Sequence, residues 1–344
     1  MKKIIISAFA VAGAITLASC EKNLTEPVES PSAQLTVRVS DTPQTKATGT
    51  ISEDGISNYY VYVFNGNTLD GYSGGSASTL QQSLRLTAGD RDVYVLVNAP
   101  AGFSATSITN KEQFDNYVVS LENENSSAFS MVGRSNCTVV ADQDNDVTVD
   151  VSRLVAKVVL NRLSVNFTDT PLEGKTLENI SVYIKNVPSA KTLALADAQT
   201  TEMLSGRLWN DGALAGILMD SNIGTISQNA AHTTVHSFYG YQNGSESALP
   251  ANATRLVIKG DLYADGDGTA ETYYWSFAVN KSNATSGHYG VLGNHQYSAS
   301  VVIKRAGIPG NDPNADDKDL EYADMDVSVN VQDWTDVEHN DVEF

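Results

Sequence analysis

The chain has 344 residues, enough for about two domains, and 41% of them are hydrophobic, which supplies a sizeable core. Its 22 lysines and arginines are outnumbered by 41 aspartates and glutamates, and the net charge of −19 argues against a nucleic-acid partner. Many tyrosines, threonines and valines, with no long Ala/Glu/Lys/Leu stretch, favour β structure over helix, and two cysteines are too few for a disulfide framework or a four-cysteine zinc site.

The first 19 residues have the pattern of a secretory signal peptide. Two lysines precede an apolar run over residues 4–18, which is shorter than the ~20 residues that span a membrane. The run ends in Leu17-Ala-Ser-Cys20, which resembles a bacterial lipobox, so we expect Cys20 to be lipidated. The alternative is an ordinary signal peptide with an incidental cysteine. Residues 21–32 are polar and contain two prolines, which predicts a flexible tether.

Alternating hydrophobicity and turn signals predict short strands in the first half of the chain. Residues 34–40 place Leu35, Val37 and Val39 on one face, and an exposed, turn-rich segment follows at 41–49. Further strands are predicted at 56–64, 83–87, 92–98, 131–132, 137–140 and 146–151, with a short helix at 111–116. Short strands separated by turns indicate a β-sandwich.

The second half of the chain predicts a second sandwich, which begins with the alternating residues 154–167. Its other strands are predicted at 180–185, 255–260, 273–279 and 296–304, and the irregular stretch 191–240 has Trp209 and Phe238 as expected anchors. Residues 307–319 are polar and acidic, which predicts a flexible linker. The final strand places Val327, Val329 and Val331 on one face, followed by Trp334.

Residues that could carry chemistry are few. His232 and His236 are four apart, but neither a helical context nor a nearby glutamate supports a zinc site, so satisfied or exposed loop histidines are expected. Asp265 and Asp267 resemble part of a calcium loop without its distal glutamate, and a hairpin turn explains them better. Cys137 is expected to be a small, at least half-buried residue. We expect no enzyme, no cofactor and no metal.

The two ends of the chain carry the most specific pattern. Residues 35–39 and 327–331 share one alternation and one length, so both could occupy the same groove in a sheet. Other motifs follow in chain order: Thr45-Lys-Ala47, Tyr60-Val-Tyr-Val-Phe-Asn65, Val93-Tyr-Val-Leu-Val-Asn98, Ser152-Arg-Leu-Val-Ala-Lys157, Gly293-Asn-His-Gln-Tyr297 and Val327-Ser-Val-Asn-Val-Gln-Asp-Trp334. With the lipobox, they resemble the Bacteroidales fimbrillins, the FimA-like and Mfa-like pilins of type V fimbriae, over almost the whole chain.

The resemblance implies an all-β chain with two tandem transthyretin-like β-sandwich domains and a C-terminal donor strand. The implied layout is a signal peptide (1–19), a lipidated tether with a removable strand (20–46), an N-terminal sandwich (47–153), a C-terminal sandwich (154–306), and a linker with the donor strand (307–344). The removable strand carries Leu35, Val37 and Val39, and the donor strand carries Val327, Val329, Val331 and Trp334.

Maturation is also implied by the resemblance. The precursor would be exported to the outer membrane as a lipoprotein and cut by a trypsin-like protease, and the C-terminal strand would then enter the groove of the next subunit. Well-studied members are cut after arginine, whereas Lys46 precedes Ala47 here, which leaves the protease open. Arg38 is the second candidate, although it lies inside a predicted strand.

The expected role is a stalk subunit of a surface fimbrium, which polymerises with copies of itself and with anchor and tip proteins. The alternative is a monomeric or tip-located surface lipoprotein that binds a glycan or host protein through loops such as residues 201–229.

Overall fold

The computed structural model describes residues 32–40, 53, 55–76, 78–194, 202–208, 214–221, 223–228, 230–244, 252–263, 270–280, 290–318 and 325–334. The regular secondary structure in these ranges is nearly all β strand, with a few short helices, which confirms the all-β prediction. They contain no helix long and apolar enough to cross a membrane.

The N-terminal unit is a sandwich made from one folded sheet. Its elements are β1 (Ser32–Ser40), β2 (Asn58–Asn65), β3 (Thr68–Ser76), β4 (Gln81–Thr87), β5 (Gly89–Val97), α1 (Lys111–Asp115), β6 (Val118–Ser120), β7 (Met131–Val139) and β8 (Asp144–Arg153). The sheet order is β3-β2-β5-β7-β8-β1-β4. Since β7 and β8 pair over only three residues each, the sheet folds there into the layers β3-β2-β5-β7 and β8-β1-β4. Leu35, Val61 and Val95 belong to the core between them.

The larger layer is covered on both faces, which explains why β2 does not alternate between buried and exposed residues. Tyr59, Val61 and Val63 point into the sandwich core, whereas Tyr62 and Phe64 pack on the other side, where the ring of Phe114 in α1 lies 5.6 Å from Tyr62. The predicted strands 131–132 and 137–140 are one continuous strand, β7.

Strand β3 was not predicted, because its three glycines depress strand propensity. Two of them permit a close approach to neighbouring side chains. A Cβ at Gly71 would lie 2.7 Å from Leu86 of β4, and one at Gly75 would lie 2.5 Å from the ring of Tyr59. The glycines that obscure the strand in the sequence are therefore what allows it to pack.

The C-terminal unit has two sheets around a larger core. Its elements are β9 (Val155–Val165), β10 (Thr176–Pro188), β11 (Ala190–Thr192), β12 (Met203–Ser205), α2 (Ala215–Leu218), β13 (Met219–Asp220), β14 (His236–Tyr241), β15 (Arg255–Tyr263), β16 (Glu271–Ala278), β17 (His295–Ile303), β18 (Ile308–Pro309) and β19 (Met325–Asp333). One sheet has the order β14-β9-β17-β19, and the other has β12-β10-β15-β16-β18, with β13 beside β10. Phe238 is buried in this core, and Trp209 lies outside the described residues.

The two units share packing at their boundary. Only Leu154 separates β8 from β9, and β6 of the first unit pairs with β11 of the second. Phe129 of the N-terminal unit belongs to the same buried apolar cluster as Tyr239 of β14. The junction is thus a packed interface with apolar contacts from both sides.

The prediction of a flexible linker at 307–319 is wrong for its described part, residues 307–318. Strand β18 pairs with β16, and Ala315 and Asp316 are buried. The carboxylate of Asp316 accepts hydrogen bonds from the hydroxyl of Tyr183 at 2.8 Å and from the amine of Lys185 at 3.0 Å. The acidic composition indicated solvent exposure, but Lys185 of β10 and Arg207 pair with the Asp316 carboxylate and compensate its burial. We call residues 307–318 the strap.

Candidate functional site

Strand β1 lies in the middle of the small layer of the N-terminal sandwich. It pairs antiparallel with β4, where Leu35 is opposite Leu84, and parallel with β8, where Val37 is opposite Val147. Both of its edges are therefore hydrogen-bonded to neighbours. A strand in this position contributes to the sheet as much as any internal strand.

The side chains of β1 alternate as predicted. Leu35 and Val37 are completely buried, and Val39 is 5% exposed. Arg38 faces solvent, where its guanidinium forms an exposed ion pair with Asp146 at 2.9 Å. Without β1, the sandwich would have an open groove with unpaired edges on β4 and β8 and an apolar floor.

Strand β19 has a different environment. Among the described strands it pairs with β17 alone, antiparallel and at the edge of its sheet, with Val329 opposite Ala299 and Val331 opposite Tyr297. Val327 and Val329 are half-buried and packed against the core, whereas Val331 is 44% exposed. In this conformation the C-terminal strand is an edge strand of its own domain.

Two buried residues fix the ends of β19. Met325 is 2% exposed, and sequence analysis missed it, although it shares the apolar face of the valines. At the other end, Trp334 is 6% exposed and stacks on Tyr239 at a centroid distance of 5.8 Å and an angle of 20°. The strand is thus held at both ends, and Val331 is the most exposed of its apolar side chains.

Cationic side chains surround the Trp334 ring at the junction of the two units. The guanidinium of Arg153 lies 4.6 Å from the ring centroid and the amine of Lys157 lies 5.7 Å away, both within range of a cation–π interaction. The indole Nε1 donates a hydrogen bond to Glu53 at 3.2 Å.

Three motifs that are far apart in sequence meet at this junction. The backbone N–H of Asn294 donates to Val155 at 2.9 Å, and its carbonyl accepts from the N–H of Trp334 at 3.0 Å. Asn294 has a φ of 56°, a left-handed conformation that asparagine tolerates better than most residues. The segments 152–157, 293–297 and 327–334 therefore form one structural unit around the end of β19.

The two histidines singled out by their spacing are in contact. The Nε2 atoms of His232 and His236 are 2.7 Å apart, and Nδ1 of His236 lies 2.7 Å from a carboxylate oxygen of Asp220. Burial and the neighbouring His236 lower the pKa of His232. They are satisfied histidines, as expected. No group of three or more His, Cys, Asp or Glu in the described ranges is arranged to hold a metal ion.

The remaining candidate residues fall into two groups. Cys137 is half-buried in β7, and burial raises the pKa of its thiol, which disfavours the reactive thiolate. The predicted lipidation site Cys20, the predicted cleavage site Lys46–Ala47, and Asp265 and Asp267 lie outside the described residues. The strands that flank the last pair, β15 and β16, do pair antiparallel.

Residues 33–173, which span most of β1 through β9, match the family model described as major fimbrial subunit protein (FimA). This part of the chain is similar to the FimA family of fimbrillins. The match includes most of strand β1 and residues 152–157 at the junction of the two units. It confirms the resemblance that the sequence motifs indicated.

A curated fimbrial protein is also similar to this chain. The major fimbrium subunit FimC of Porphyromonas gingivalis is 24% identical over 266 residues, which cover 75% of this chain and 51% of that protein. The chain thus spans about half the length of this curated fimbrial relative.

Solved fimbrial structures share the fold. A fimbrilin (FimA) of Porphyromonas gingivalis has a TM-score of 0.65 at 16% identity, covering 88% of this chain and 98% of that one. The C-terminally truncated tip fimbrial protein Mfa3 of the same species has a TM-score of 0.52 at 16% identity, covering 88% of this chain and 99% of that one. Both establish the β-sandwich fold of a fimbrillin.

Proposed function

We propose that this protein is a structural stalk subunit of a fimbrium and that it polymerises by donor-strand exchange. In this proposal β1 is removed from the precursor, and β19 of a neighbouring subunit enters the groove that β1 leaves. The observation that carries the proposal is the position of β1, which is an internal strand of the sheet and yet comes first in chain order among the described residues.

The groove suits an alternating strand of the length of β19. Both β1 and β19 have nine residues, and both present an apolar residue at every second position. Leu35, Val37 and Val39 define the apolar contacts that a replacement strand must restore. Val327, Val329 and Val331 have the same spacing and can supply them.

The exchange would be favourable because β19 gains contacts that it lacks in its own domain. In the part of the chain that the structure describes, it pairs along one edge, whereas the groove offers two, and each added backbone hydrogen bond contributes about 0.5–1.5 kcal/mol net. Val331, which is 44% exposed, would become buried, and full burial of such a side chain is worth about 1.5–3 kcal/mol. The loss of the Met325 and Trp334 contacts opposes this gain.

The proposal includes a lipoprotein precursor. The signal peptide ends before Cys20, which would be lipidated, and the mature subunit would begin at Ala47 after cleavage at Lys46 by a trypsin-like protease. The cell-surface fimbrium would then contain copies of this chain together with anchor and tip subunits. The C-terminal strand favours a stalk role, since a tip subunit needs no donor strand.

Two adjacent substitutions on opposite faces of β19 test the proposal. Val329→Asp places a charge on the face that would enter the groove, whereas Ser328→Asp adds the same charge on the exposed face. After maturation, wild type and Ser328→Asp should give a ladder of polymers on unboiled gels, and Val329→Asp should remain monomeric. Full-length, heat-labile polymers of Val329→Asp would contradict the donor-strand assignment.

The point substitution distinguishes a donor strand from an ordinary edge strand better than a deletion of β19 does. Because Met325 and Trp334 are buried in the monomer, deletion of residues 323–344 would expose core surface whether or not β19 is a donor. Val329 is only half-buried, so its substitution leaves most of the monomer intact. Circular dichroism of the monomeric fraction confirms that each variant is folded.

A tip-located adhesin is the second candidate function. It is favoured by the anchoring of β19 on its own domain, since a tip subunit accepts a strand and keeps its own. In that case Val329→Asp would leave the fimbriae intact, and immunogold labelling would place this protein only at their ends.

A further inference from the structure

One carboxylate at the domain junction connects the beginning of the chain to its end. The Lys157 amine donates to both oxygens of Glu53, at 2.7 and 2.8 Å. The Tyr239 hydroxyl donates to one of these oxygens, and Nε1 of Trp334 donates to the other at 3.2 Å. Glu53 therefore contacts β9, β14 and the residue that follows β19.

These contacts are shielded from water. The side chains of Glu53 and Lys157 are 14% and 13% exposed, and Trp334 as a whole is 6% exposed. In such surroundings, removal of one charge leaves its partner desolvated and uncompensated, which costs more than the loss of a surface ion pair. The carboxylate also keeps Lys157 beside the Trp334 ring.

Glu53 lies between the proposed cleavage site and the first residue of β2. Glu53 is seven residues after Lys46 and five before the first residue of β2. On its C-terminal side the chain is fixed by Asn98, whose side chain donates to the Gly55 carbonyl at 2.7 Å and accepts from the Ser57 N–H at 2.8 Å. On its N-terminal side the chain continues to β1.

We infer that the contact of Glu53 with Trp334, which we call the latch, holds the C-terminal strand in its own sheet. A cut at Lys46 loosens this contact. Before the cut, the chain on the N-terminal side of Glu53 is covalently continuous with the docked strand β1. After the cut only the anchor at Asn98 remains, and the larger conformational freedom of the new terminus opposes the ordering of Glu53. The inference rests on the proposed function and names its regulation: one proteolytic event would free the donor strand as well as the acceptor groove.

Hydrogen exchange of the backbone amides of residues 325–333 measures the latch in the monomer. The full chain carries a sequence-specific protease site in place of residues 43–49, so that a single cut can be made without denaturant. Glu53→Gln keeps the size of the side chain and removes its charge. Glu122→Gln is the matched control, because Glu122 is exposed in the same unit.

The expected result is that cutting accelerates exchange of β19 about tenfold, equivalent to ~1.4 kcal/mol, in the wild type and in the control. Uncut Glu53→Gln should already exchange fast, and cutting should add little. Trp334→Phe, which removes the indole donor while keeping an aromatic ring, should also accelerate exchange. Exchange of β5 should not change in any variant.

Two results would overturn the latch. One is slow exchange of β19 in uncut Glu53→Gln, and the other is an equal acceleration by the cut in wild type and Glu53→Gln. Since exchange is measured on monomers, these results leave donor-strand assembly untouched. Conversely, polymers formed by Val329→Asp would contradict the proposed function even if the exchange results hold.

Discussion

The hydroxyl of Tyr241 in the C-terminal unit donates a hydrogen bond of 2.8 Å to the carboxylate of Glu124 in the N-terminal unit. The second oxygen of Glu124 accepts from the backbone N–H of Ser130 at 2.9 Å, and both side chains are buried. This pair joins the two sandwiches on the same side as the aromatic contact of Phe129 with Tyr239, whose ring centroids are 4.7 Å apart.

The Glu124 carboxyl should make the stability of the protein depend on pH. Burial raises the pKa of Glu124, and this outweighs the hydrogen bonds from Ser130 and Tyr241, which lower it. Its contribution to stability is therefore fully present below the ordinary pKa of glutamate and is lost as the pH rises through the raised value. Urea unfolding at about pH 5 and pH 8 should show a smaller wild-type advantage over Glu124→Gln at the higher pH.

Tyr241→Phe tests the same contact from the other side. Loss of the donor leaves a buried carboxyl oxygen without a partner, which should cost about 1–3 kcal/mol of unfolding free energy. Tyr72→Phe is the control, because that tyrosine is 44% exposed. Equal stability of the two variants would show that the contact between the units is energetically unimportant.

Leu35→Ala should destabilise the precursor but leave the fimbriae unaffected. The side chain is fully buried in β1, so truncation should lower the free energy of unfolding by about 2–5 kcal/mol. Thr36→Ala, on the solvent side, should change it by no more than about 0.5 kcal/mol. If β1 is removed in maturation, polymers from both variants should dissociate at the wild-type temperature. A lower dissociation temperature for Leu35→Ala would mean that β1 remains in the polymer.

The strap should loosen in acid. Burial alone would raise the pKa of Asp316, but hydrogen bonds from Lys185 and Tyr183 and the nearby charge of Arg207 lower it overall. Its stabilising effect is present above the ordinary pKa of aspartate and is lost as the pH falls through the lowered value. Asp316→Asn should cost about 3 kcal/mol and accelerate hydrogen exchange in residues 307–318.

Asp312→Asn is the control within the strap. Its carboxylate is more exposed and pairs with Lys318 on the same segment, so its loss should have little effect on the underlying sheet. If both variants exchange at the wild-type rate, the strap is held by β18 pairing and by Ala315, and the Asp316 contacts are dispensable.

Two substitutions test the proposed maturation. Labelled palmitate should enter the wild-type protein but not Cys20→Ala, because the thiol is the acceptor. Edman sequencing of assembled fimbriae should begin Ala47-Thr48-Gly49, and Lys46→Gln should accumulate as an uncut precursor. Polymers that begin at Cys20 would contradict the cleavage step.

The sequence by itself determined the elements that depend on local patterns. Residues 34–40 alternate with a period of two, and that period fixes which side chains of β1 point inward wherever the strand is placed. The same holds for the faces of β19 and for the short helix α1. The lipobox-like residues 17–20 and the order of the motifs were sufficient to indicate a resemblance to the fimbrillins.

Only the tertiary structure decided what each strand borders. Val37 and Val331 have the same local pattern, yet Val37 is completely buried between β4 and β8, whereas Val331 is 44% exposed on a sheet edge. The burial of Asp316 and the contact of Glu53 with Trp334, 281 positions away, were equally invisible in the sequence. Alternation is a property of the chain over a few residues, but the choice of neighbour depends on the free energy of pairings between distant segments, which a local pattern does not contain.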